Sequence, residues 1–215
     1  MVELLIKIAL AYLLGSVSGS MVIGALRHVD IRQSGSGNAG GTNAFRTQGF
    51  RFALGVVIID VGKGFLAAWL VPLLNLSILG ADVPVEIQVL CCGFAAVVGH
   101  CYPLFYGFRG GKGAATAVGA MIVIEPAIIL PMFLTWLLVL VLTGWVGLST
   151  MLAAVSLVPA MLWLDSGTAK LVFAILLAAF IVFTHRSNIR KMREGREQHF
   201  QKIWIRNWFR SKPTS

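Results

Sequence analysis

Long runs of apolar residues, separated by short polar stretches, dominate the chain up to about residue 184. A run of about 20 apolar residues is what an α-helix needs to cross the roughly 30 Å hydrocarbon core of a bilayer. We therefore predict a bundle of about seven transmembrane helices. The segments are 3–26, 52–74, 85–106, 113–124, 127–143, 146–164 and 168–184.

The fourth segment, 113–124, is too short to cross a bilayer upright. At 1.5 Å per residue it rises about 18 Å, against a hydrocarbon core of about 30 Å. Two interpretations stay open. The segment is either a tilted short span or one half of a re-entrant hairpin that closes at Glu125-Pro126.

Composition supports the membrane class. The chain is 57% hydrophobic and 13% charged, with a mean hydropathy of +0.82, whereas a soluble domain carries about 25% charged residues. We therefore expect an all-α integral membrane protein. Cys91, Cys92 and Cys101 fall in one apolar segment and form no C-x-x-C pair, so we interpret them as small buried side chains.

The distribution of charge orients the predicted bundle. If the N-terminus lies outside, alternating spans place 27–51, 107–112, 144–145 and 185–215 in the cytoplasm. Every Lys and Arg falls in these regions except Lys7, Lys63 and Lys170. Because cytoplasmic loops carry an excess of Lys and Arg, we predict an outside N-terminus and a cytoplasmic C-terminus. The polar motif loops then converge on the cytoplasmic face.

The C-terminal tail has a pattern of its own. Apolar residues recur there at the spacing of one helix face, with basic residues between them: Phe200, Ile203, Trp204 and Trp208. Such a helix lies on an anionic membrane surface. We predict that it anchors the chain on the inner leaflet without a catalytic role. The expected division is a transmembrane domain, 1–187, and a basic amphipathic cytoplasmic tail, 188–215.

The first polar stretch, 34–43, contains four glycines and no charged residue, yet it lies between two apolar segments. Glycines let backbone N–H groups turn toward a ligand, and short hydroxyl and amide side chains add donors. With Arg32 before it and Arg46 after it, we interpret the stretch as an anion-binding loop suited to phosphate. The alternative is a flexible linker. The candidate binding residues are Ser36, Gly37, Asn38, Gly40, Thr42 and Asn43.

A second glycine-rich loop, 109–113, reads Arg-Gly-Gly-Lys-Gly. It is not a Walker A motif, because Tyr106 and Gly113 occupy the places of that motif's first glycine and its Ser or Thr. We predict that the loop opens a helix, so that free N–H groups at Gly111, the helix dipole and the Lys112 ammonium face an anion. The alternative is a basic loop that only sets the membrane orientation.

Five further residues, at three places in the chain, could carry chemistry. His185 and Asn188 follow the last apolar segment one helical turn apart, where they could bind a substrate hydroxyl and its neighbouring oxygen. Asp60 and Lys63 lie inside the second segment, and two roles stay open: an internal ion pair, or a Lys63 that reaches the anion site. We expect His100 to have a structural role, bonding backbone freed near a proline.

The residue patterns that several other reaction mechanisms require are missing from this sequence. No His is followed five places later by Asp, so the H-x-x-x-x-D pattern of acyl-thioester acyltransferases is missing. We find no zinc spacing and no cytoplasmic cluster of carboxylates, so we expect neither a metal nor a cofactor. A small membrane transporter for an organophosphate is the alternative from another class. It would predict an inverted repeat and helices broken at the midplane, and the sequence has no visible repeat.

Taken together, three stretches resemble the signatures of bacterial acyl-phosphate:glycerol-3-phosphate acyltransferases. They read Ser34-Gly35-Ser36-Gly37-Asn38-x-Gly40-x-Thr42-Asn43-x-x-Arg46, Gly110-Gly111-Lys112-Gly113-x-x-Thr116 and His185-Arg186-x-Asn188-Ile189. Their order and spacing match that family from about residue 8 to residue 200. There are two departures. Gly41 replaces the usual Ala, and Gly147 and Thr150 stand where the family often has serine, which leaves a substrate contact there to Thr150.

The resemblance implies a fatty acyl phosphate donor, a glycerol 3-phosphate acceptor, and a multi-pass enzyme of the bacterial inner membrane that works beside an enzyme forming the acyl phosphate. It implies no nucleic-acid partner. We assign the Ser36–Asn38 loop and Lys112 to the donor phosphate. Three residues are the candidates for glycerol 3-phosphate: Arg46, His185 and Asn188. The predicted substrate-binding set also includes Lys63, Thr116 and Thr150.

Overall fold

The computed structural model describes residues 1–76, 83–200 and 204–205, and no β-strand occurs within these ranges. The all-α prediction is confirmed. Eleven α-helices are present in the described ranges: α1 (Val2–Gly15), α2 (Gly19–Arg27), α3 (Gly41–Gln48), α4 (Phe50–Trp69), α5 (Val85–Cys101), α6 (Ala114–Ile124), α7 (Ile129–Thr143), α8 (Val146–Val155), α9 (Leu157–Trp163), α10 (Thr168–Thr184) and α11 (Arg186–Arg193).

All seven predicted apolar segments are helical, but fewer are long enough to cross a membrane. Five stretches of the described chain are long and apolar enough to cross a membrane: Val2–Arg27, Phe50–Leu73, Val85–Tyr106, Pro126–Thr143 and Val146–Trp163. α10 and α11 together give a sixth, bent by 52° at their junction. The doubtful fourth segment is α6, a helix of 11 residues.

The first span consists of two helices, with a break at Ser16–Ser18 between α1 and α2. A break inside an apolar span leaves backbone groups that lipid cannot satisfy. Side chains of α4 provide the partners here. Lys63 Nζ donates to the carbonyl of Val17 at 2.7 Å, and Asp60 Oδ1 accepts the N–H of Gly19 at 3.1 Å. This buried pair explains how the break is tolerated.

Residues Met1–Pro126 form one compact unit, in which helices approach each other through glycine. A Cβ added to Gly64 in α4 would collide with the carbonyl of Thr116 in α6, and one added to Gly119 would collide with the carbonyl of Val61. Small residues allow membrane helices to pack closely in this way. The contact fixes the start of α6 beside α4.

Residues Ala127–Ser215 form a second compact unit. α7 packs against α8, and α10 packs against α8 and α9. The interior is aliphatic and includes Leu157, Met161, Leu177 and Ile181. The division into compact units thus falls between residues 126 and 127, whereas the boundary predicted at 187/188 lies inside α11.

The tail differs from the prediction where it is described, because residues 196–200 are not helical. The N–H of Phe200 donates to the carbonyl of Gly144 at 2.7 Å. The ring of His199 stacks between those of Trp145 and Trp204, with centroid distances of 5.3 and 4.1 Å. The tail is therefore held by the turn after α7, and the predicted helix is wrong at its first residue. The remaining positions of that pattern, Ile203 and Trp208, lie outside the described residues.

Candidate active site

The loop before α3 is closed by one buried side chain, that of Asn43. Its Oδ1 accepts the N–H of Ser36 at 2.9 Å, and its Nδ2 donates to the carbonyls of Ile31 at 2.9 Å and Ser34 at 3.1 Å. These contacts use both amide donors of a residue that is only 1% exposed. Asn43 was predicted to bind substrate, but its amide holds the loop in shape instead.

Two glycines in the left-handed region give this loop its course. Gly35 has a φ of +61° and Gly37 a φ of +75°, a conformation that residues with a side chain rarely adopt. A Cβ on Gly35 would also collide with Oδ1 of Asn43. Ser36 and Gly37, both predicted to bind substrate, are exposed, and their role stays a prediction.

The loop leads directly into α3, a helix that the sequence analysis did not predict. Gly40 is its N-cap residue and Thr42 lies in its first turn. The amide of Asn38 lies so close to Gly40 that an added Cβ would be 2.8 Å from its Nδ2. Backbone N–H groups at a helix start carry partial positive charge and favour anions. Arg46 lies half-buried in the last turn of the same short helix.

Arg32 joins this loop to the second one. Its Nη2 lies 2.8 Å from Oδ2 of Asp30, and its Nη1 donates to the carbonyls of Tyr106 at 3.2 Å and Arg109 at 3.4 Å. The side-chain hydrogen bonds between the pair lower the pKa of Asp30 and raise the pKa of Arg32. Arg32 therefore braces the two loops, a role that the sequence analysis missed.

The second loop folds onto the end of α5. The N–H of Gly110 donates to the carbonyl of Cys101 at 3.2 Å, and that of Gly111 donates to the carbonyl of His100 at 3.1 Å. A Cβ on Gly110 would collide with the carbonyl of His100, and a Cβ on Gly111 with its ring. Two of the three glycines around Lys112 are thus required for close packing on α5. The N–H of Gly111, predicted to be free to face an anion, is used in this contact instead.

α6 begins after Gly113, which has a φ of +89° and is the N-cap residue, so the prediction that this loop opens a helix is confirmed. Lys112 lies half-buried directly before the cap. Thr116, one turn into α6, is fully buried against Gly64, and its hydroxyl has no hydrogen-bond partner among the described residues. Thr116 was predicted to contact substrate, but it lies in the helix contact behind the loop.

Lys63, for which two roles were open, takes part in an internal ion pair. Its Nζ lies 3.0 Å from Oδ1 of Asp60, 2.9 Å from Nδ1 of His100 and 2.7 Å from the carbonyl oxygen of Val17. An ammonium has three donor hydrogens, and each has a partner here. The structure favours the ion pair over direct contact with substrate. The His100 ring, expected to bond backbone near a proline, bonds these side chains instead.

In the second unit, His185 lies at the junction of α10 and α11. It is buried, and its Nδ1 lies 2.8 Å from the carbonyl oxygen of Ile181. Because a carbonyl only accepts, Nδ1 carries a proton, and Nε2 is the acceptor nitrogen of the neutral ring. This geometry suits a ring that accepts a hydrogen bond from a hydroxyl.

Asn188 lies one turn beyond His185, as predicted, and its backbone N–H donates to the carbonyl of His185 at 2.8 Å. Its Nδ2 donates to Oε1 of Glu197 at 2.7 Å. A Cβ added to Gly147 of α8 would lie 2.7 Å from the same nitrogen. Glu197 could not be recognised as a partner from the sequence, since only the return of the tail brings its carboxylate to Asn188.

Thr150 lies in α8 with its hydroxyl engaged inside the unit. The hydroxyl donates to the carbonyl of Val146 at 2.9 Å and accepts from Nε1 of Trp136 at 3.3 Å. The structure therefore gives Thr150 a role in packing α7 against α8, whereas the sequence predicted a substrate contact.

The site residues thus fall into two groups, each assembled within its own unit. The first unit brings the 34–43 loop, α3 and the 109–113 loop together through Arg32. The second unit brings His185, Asn188 and Gly147 together. Within the described part of the chain, no group of three His, Cys, Asp or Glu side chains could hold a metal ion.

The fold is that of a known class of integral membrane enzyme. It is similar to two crystal structures of PlsY, described as an integral membrane glycerol 3-phosphate acyltransferase. The glycerol 3-phosphate form matches with a TM-score of 0.81 and 35% identity, covering 96% of this chain and 99% of that chain. The lysophosphatidic acid form matches with a TM-score of 0.78 and 35% identity, covering 91% and 94%. The protein is a multi-pass integral membrane protein.

Sequence comparison gives the family itself. The family model for glycerol-3-phosphate acyltransferase matches residues 5–195. Curated relatives of that name include the protein of Aquifex aeolicus, 37% identical over 196 residues that cover 91% of this chain and 98% of the relative. The protein of Pseudomonas paraeruginosa is 41% identical over 192 residues, covering 89% and 96%. The chain belongs to the glycerol-3-phosphate acyltransferase family and is an acyltransferase, not the transporter kept as the alternative.

Proposed function

We propose that this acyltransferase takes a fatty acyl phosphate as its donor and transfers the acyl group to the sn-1 hydroxyl of glycerol 3-phosphate. The hydroxyl oxygen forms a bond to the acyl carbonyl carbon, and the bond from that carbon to the phosphate oxygen breaks. The hydroxyl proton passes to a phosphate oxygen of the substrate; transfer to His185 is the competing version. The products are lysophosphatidic acid and inorganic phosphate.

One observation carries the proposal: Arg32 holds two glycine-rich loops together, and each loop leads into the start of a helix. Helix starts with free N–H groups bind phosphate well, and both proposed substrates carry phosphate. An acyl phosphate is a mixed anhydride with a good leaving group. Its transfer therefore needs orientation and charge neutralisation more than an activated protein nucleophile.

We assign the backbone amides of Ser36–Asn38 and the ammonium of Lys112 to the donor phosphate. We assign Arg46, His185 and Asn188 to glycerol 3-phosphate. The bond from Nδ1 of His185 to Ile181 supports this role, because it leaves Nε2 as the acceptor nitrogen of the ring, which suits a hydroxyl of glycerol 3-phosphate. The acyl chain would lie between spans, in surroundings like those of lipid.

We further propose that the protein lies in the bacterial inner membrane with its N-terminus outside and its motif loops in the cytoplasm. The charge distribution supports this orientation. An acyl phosphate is reactive in water, so the enzyme that forms the donor would deliver it at the same face of the membrane.

Release of phosphate from a synthetic acyl phosphate by the purified protein tests the proposal. The assay contains EDTA, because no metal takes part in the proposed reaction. We expect release that depends on glycerol 3-phosphate and matches the lysophosphatidic acid formed mole for mole. Equal release without the acceptor would indicate hydrolysis, and no release with both substrates would overturn the proposed donor.

A further inference from the structure

The C-terminal tail has no role in the reaction proposed above, yet it turns back onto the site residues of the second unit. α11 is closed by Gly195, which has a φ of +66°. The N–H of Gly195 donates to the carbonyl of Met192 at 3.1 Å, and that of Arg196 donates to the carbonyl of Lys191 at 2.8 Å. These are the bonds of a Schellman motif, in which a left-handed glycine ends a helix. We call the residues that follow this turn, 195–200, the return segment.

The far end of the return segment is fixed on the turn between α7 and α8 by His199. Its Nδ1 lies 3.0 Å from the carbonyl oxygen of Thr143, and since a carbonyl only accepts, Nδ1 is the donor. Its ring lies between the indoles of Trp145 and Trp204. A Cβ added to Gly144 would lie 3.1 Å from the same Nδ1. His199 is therefore held by two aromatic rings and one hydrogen bond, directly against the backbone of this turn.

Between these two fixed ends, Glu197 reaches the side chain of Asn188. Its Oε1 accepts a hydrogen bond from Nδ2 of Asn188 at 2.7 Å. A carboxylate only accepts, so the nitrogen of the amide must face Glu197, and Oδ1 lies on the opposite edge of the amide. The return segment therefore fixes which way round the Asn188 amide is held, one turn of α11 beyond His185.

We propose that His199 is a positioning residue for the binding of glycerol 3-phosphate. Its ring holds the return segment on the turn after α7, the segment holds Glu197, and Glu197 sets the amide of Asn188. The inference rests on the proposed role of Asn188 in binding glycerol 3-phosphate. Without the anchor the amide could rotate, and ordering it again when the ligand binds would weaken the affinity.

The affinity of the purified full-length protein for glycerol 3-phosphate tests this inference. Isothermal titration calorimetry gives the Kd without any acyl donor, so the result does not depend on which donor the enzyme uses. We expect His199→Ala and Glu197→Ala each to raise the Kd about tenfold, the usual effect of losing one hydrogen bond to a charged group. Glu197→Gln keeps an acceptor oxygen for Asn188, and its Kd should stay within about threefold of wild type.

His199→Phe keeps a ring between the two indoles but loses the hydrogen bond to the carbonyl of Thr143. We expect its Kd to rise about threefold or more. It tests the anchor even if His199→Ala does not fold, and the Tm of each variant in detergent shows which proteins are folded.

A double variant separates positioning from a general loss of structure. If His199 acts through Asn188, then adding His199→Ala to Asn188→Ala should change the Kd by no more than about twofold, because the residue it positions is already missing. Glu194→Ala is the matched control. Glu194 is also acidic and lies three residues before Glu197, but its carboxylate pairs with the exposed side chain of Arg196, so we expect the Kd to stay at the wild-type value.

The outcomes distinguish this inference from the proposed function. If the losses of His199→Ala and Asn188→Ala multiply in the double variant, or if both His199 variants keep the wild-type Kd, the positioning role is overturned while the assignment of Asn188 stands. A wild-type Kd in Asn188→Ala would overturn the assignment of Asn188 itself, and the inference with it.

Discussion

Among single residues, Lys112 carries the most specific prediction. It directly precedes the N-cap of α6, so its ammonium adds a full charge to the partial positive charge of the helix start. Removing one charge-assisted contact to a bound anion should cost about 2–5 kcal/mol, or tens to thousands of fold in rate. We expect Lys112→Ala to nearly abolish activity while the protein still folds and inserts.

Lys112→Arg is the companion variant. It should recover little activity, because a planar guanidinium fits poorly in a loop walled by glycine. Steady-state kinetics with both substrates, alongside the Tm of each variant, check the prediction. A Lys112→Ala enzyme with kcat/KM for acyl phosphate near that of wild type would remove Lys112 from the site.

His185 separates substrate positioning from base catalysis. If its ring only positions glycerol 3-phosphate, His185→Asn should raise KM for that substrate and leave the dependence of kcat on pH unchanged between about pH 5.5 and pH 8.5. We expect this result, because an acyl phosphate can take up the hydroxyl proton on its own phosphate. His185 would instead be the base if kcat falls sharply in the variant and the wild-type kcat decreases toward acidic pH while that of the variant does not.

The types of the site residues were predictable from the sequence, but several of their roles were not. Asn43 and Lys63 stand in polar motifs, which made them candidates for substrate contact. Their partners depend on tertiary structure, since Asn43 bonds a carbonyl 12 residues away and Lys63 bonds His100 37 residues away. A sequence pattern shows that a buried polar group needs a partner, but it does not show which one.

At the scale of elements, the Arg32 bridge between the two loops predicts a coupled effect. Arg32→Gln cannot make the paired hydrogen bonds to Asp30 that a guanidinium makes, and its shorter side chain would no longer reach the carbonyls of Tyr106 and Arg109. We expect KM for acyl phosphate to rise about tenfold. Arg27→Gln is the matched control, because Arg27 is an exposed arginine of the neighbouring helix α2, and it should leave KM unchanged.

The pH dependence of this bridge follows from the pKa of Asp30. Arg32 lowers that pKa from its ordinary value of 3.8, so the carboxylate is ionised above that value and the pair contributes its full stability there. The contribution is lost only as the pH falls below 3.8 through the lowered pKa. The effect of Arg32→Gln should therefore be the same at every pH near neutrality. A loss that grows or disappears across the neutral range would contradict the bridge.

Hydrophobic runs predicted the positions of the helices well and their interruptions poorly. The break at Ser16–Ser18 lies inside an apolar run, and side chains of α4 bond the backbone of Val17 and Gly19 there. α3 follows a glycine-rich loop and is short, so its residues gave no apolar period to detect. In the tail, the helical spacing from Phe200 is overridden by hydrogen bonds and ring stacking with the turn after α7.

For the whole molecule, the proposed orientation in the membrane is the feature to test. In a background without Cys91, Cys92 and Cys101, single cysteines at Gln48 and Glu86 are a matched pair, because both positions are exposed. We expect an impermeant maleimide to label Gln48→Cys only from the cytoplasm and Glu86→Cys only from outside. Labelling of Gln48→Cys from outside in intact cells would reverse the orientation and move the motif loops to the other face.

The identity of the acyl donor is the central claim, and a comparison of donors tests it most directly. The purified protein, reconstituted in vesicles, is given glycerol 3-phosphate with either an acyl phosphate or an acyl-CoA of the same chain length, and the lysophosphatidic acid formed is measured. Since the chain lacks the H-x-x-x-x-D pair, we predict product from acyl phosphate and none from acyl-CoA. Turnover with acyl-CoA comparable to that with acyl phosphate would contradict the account.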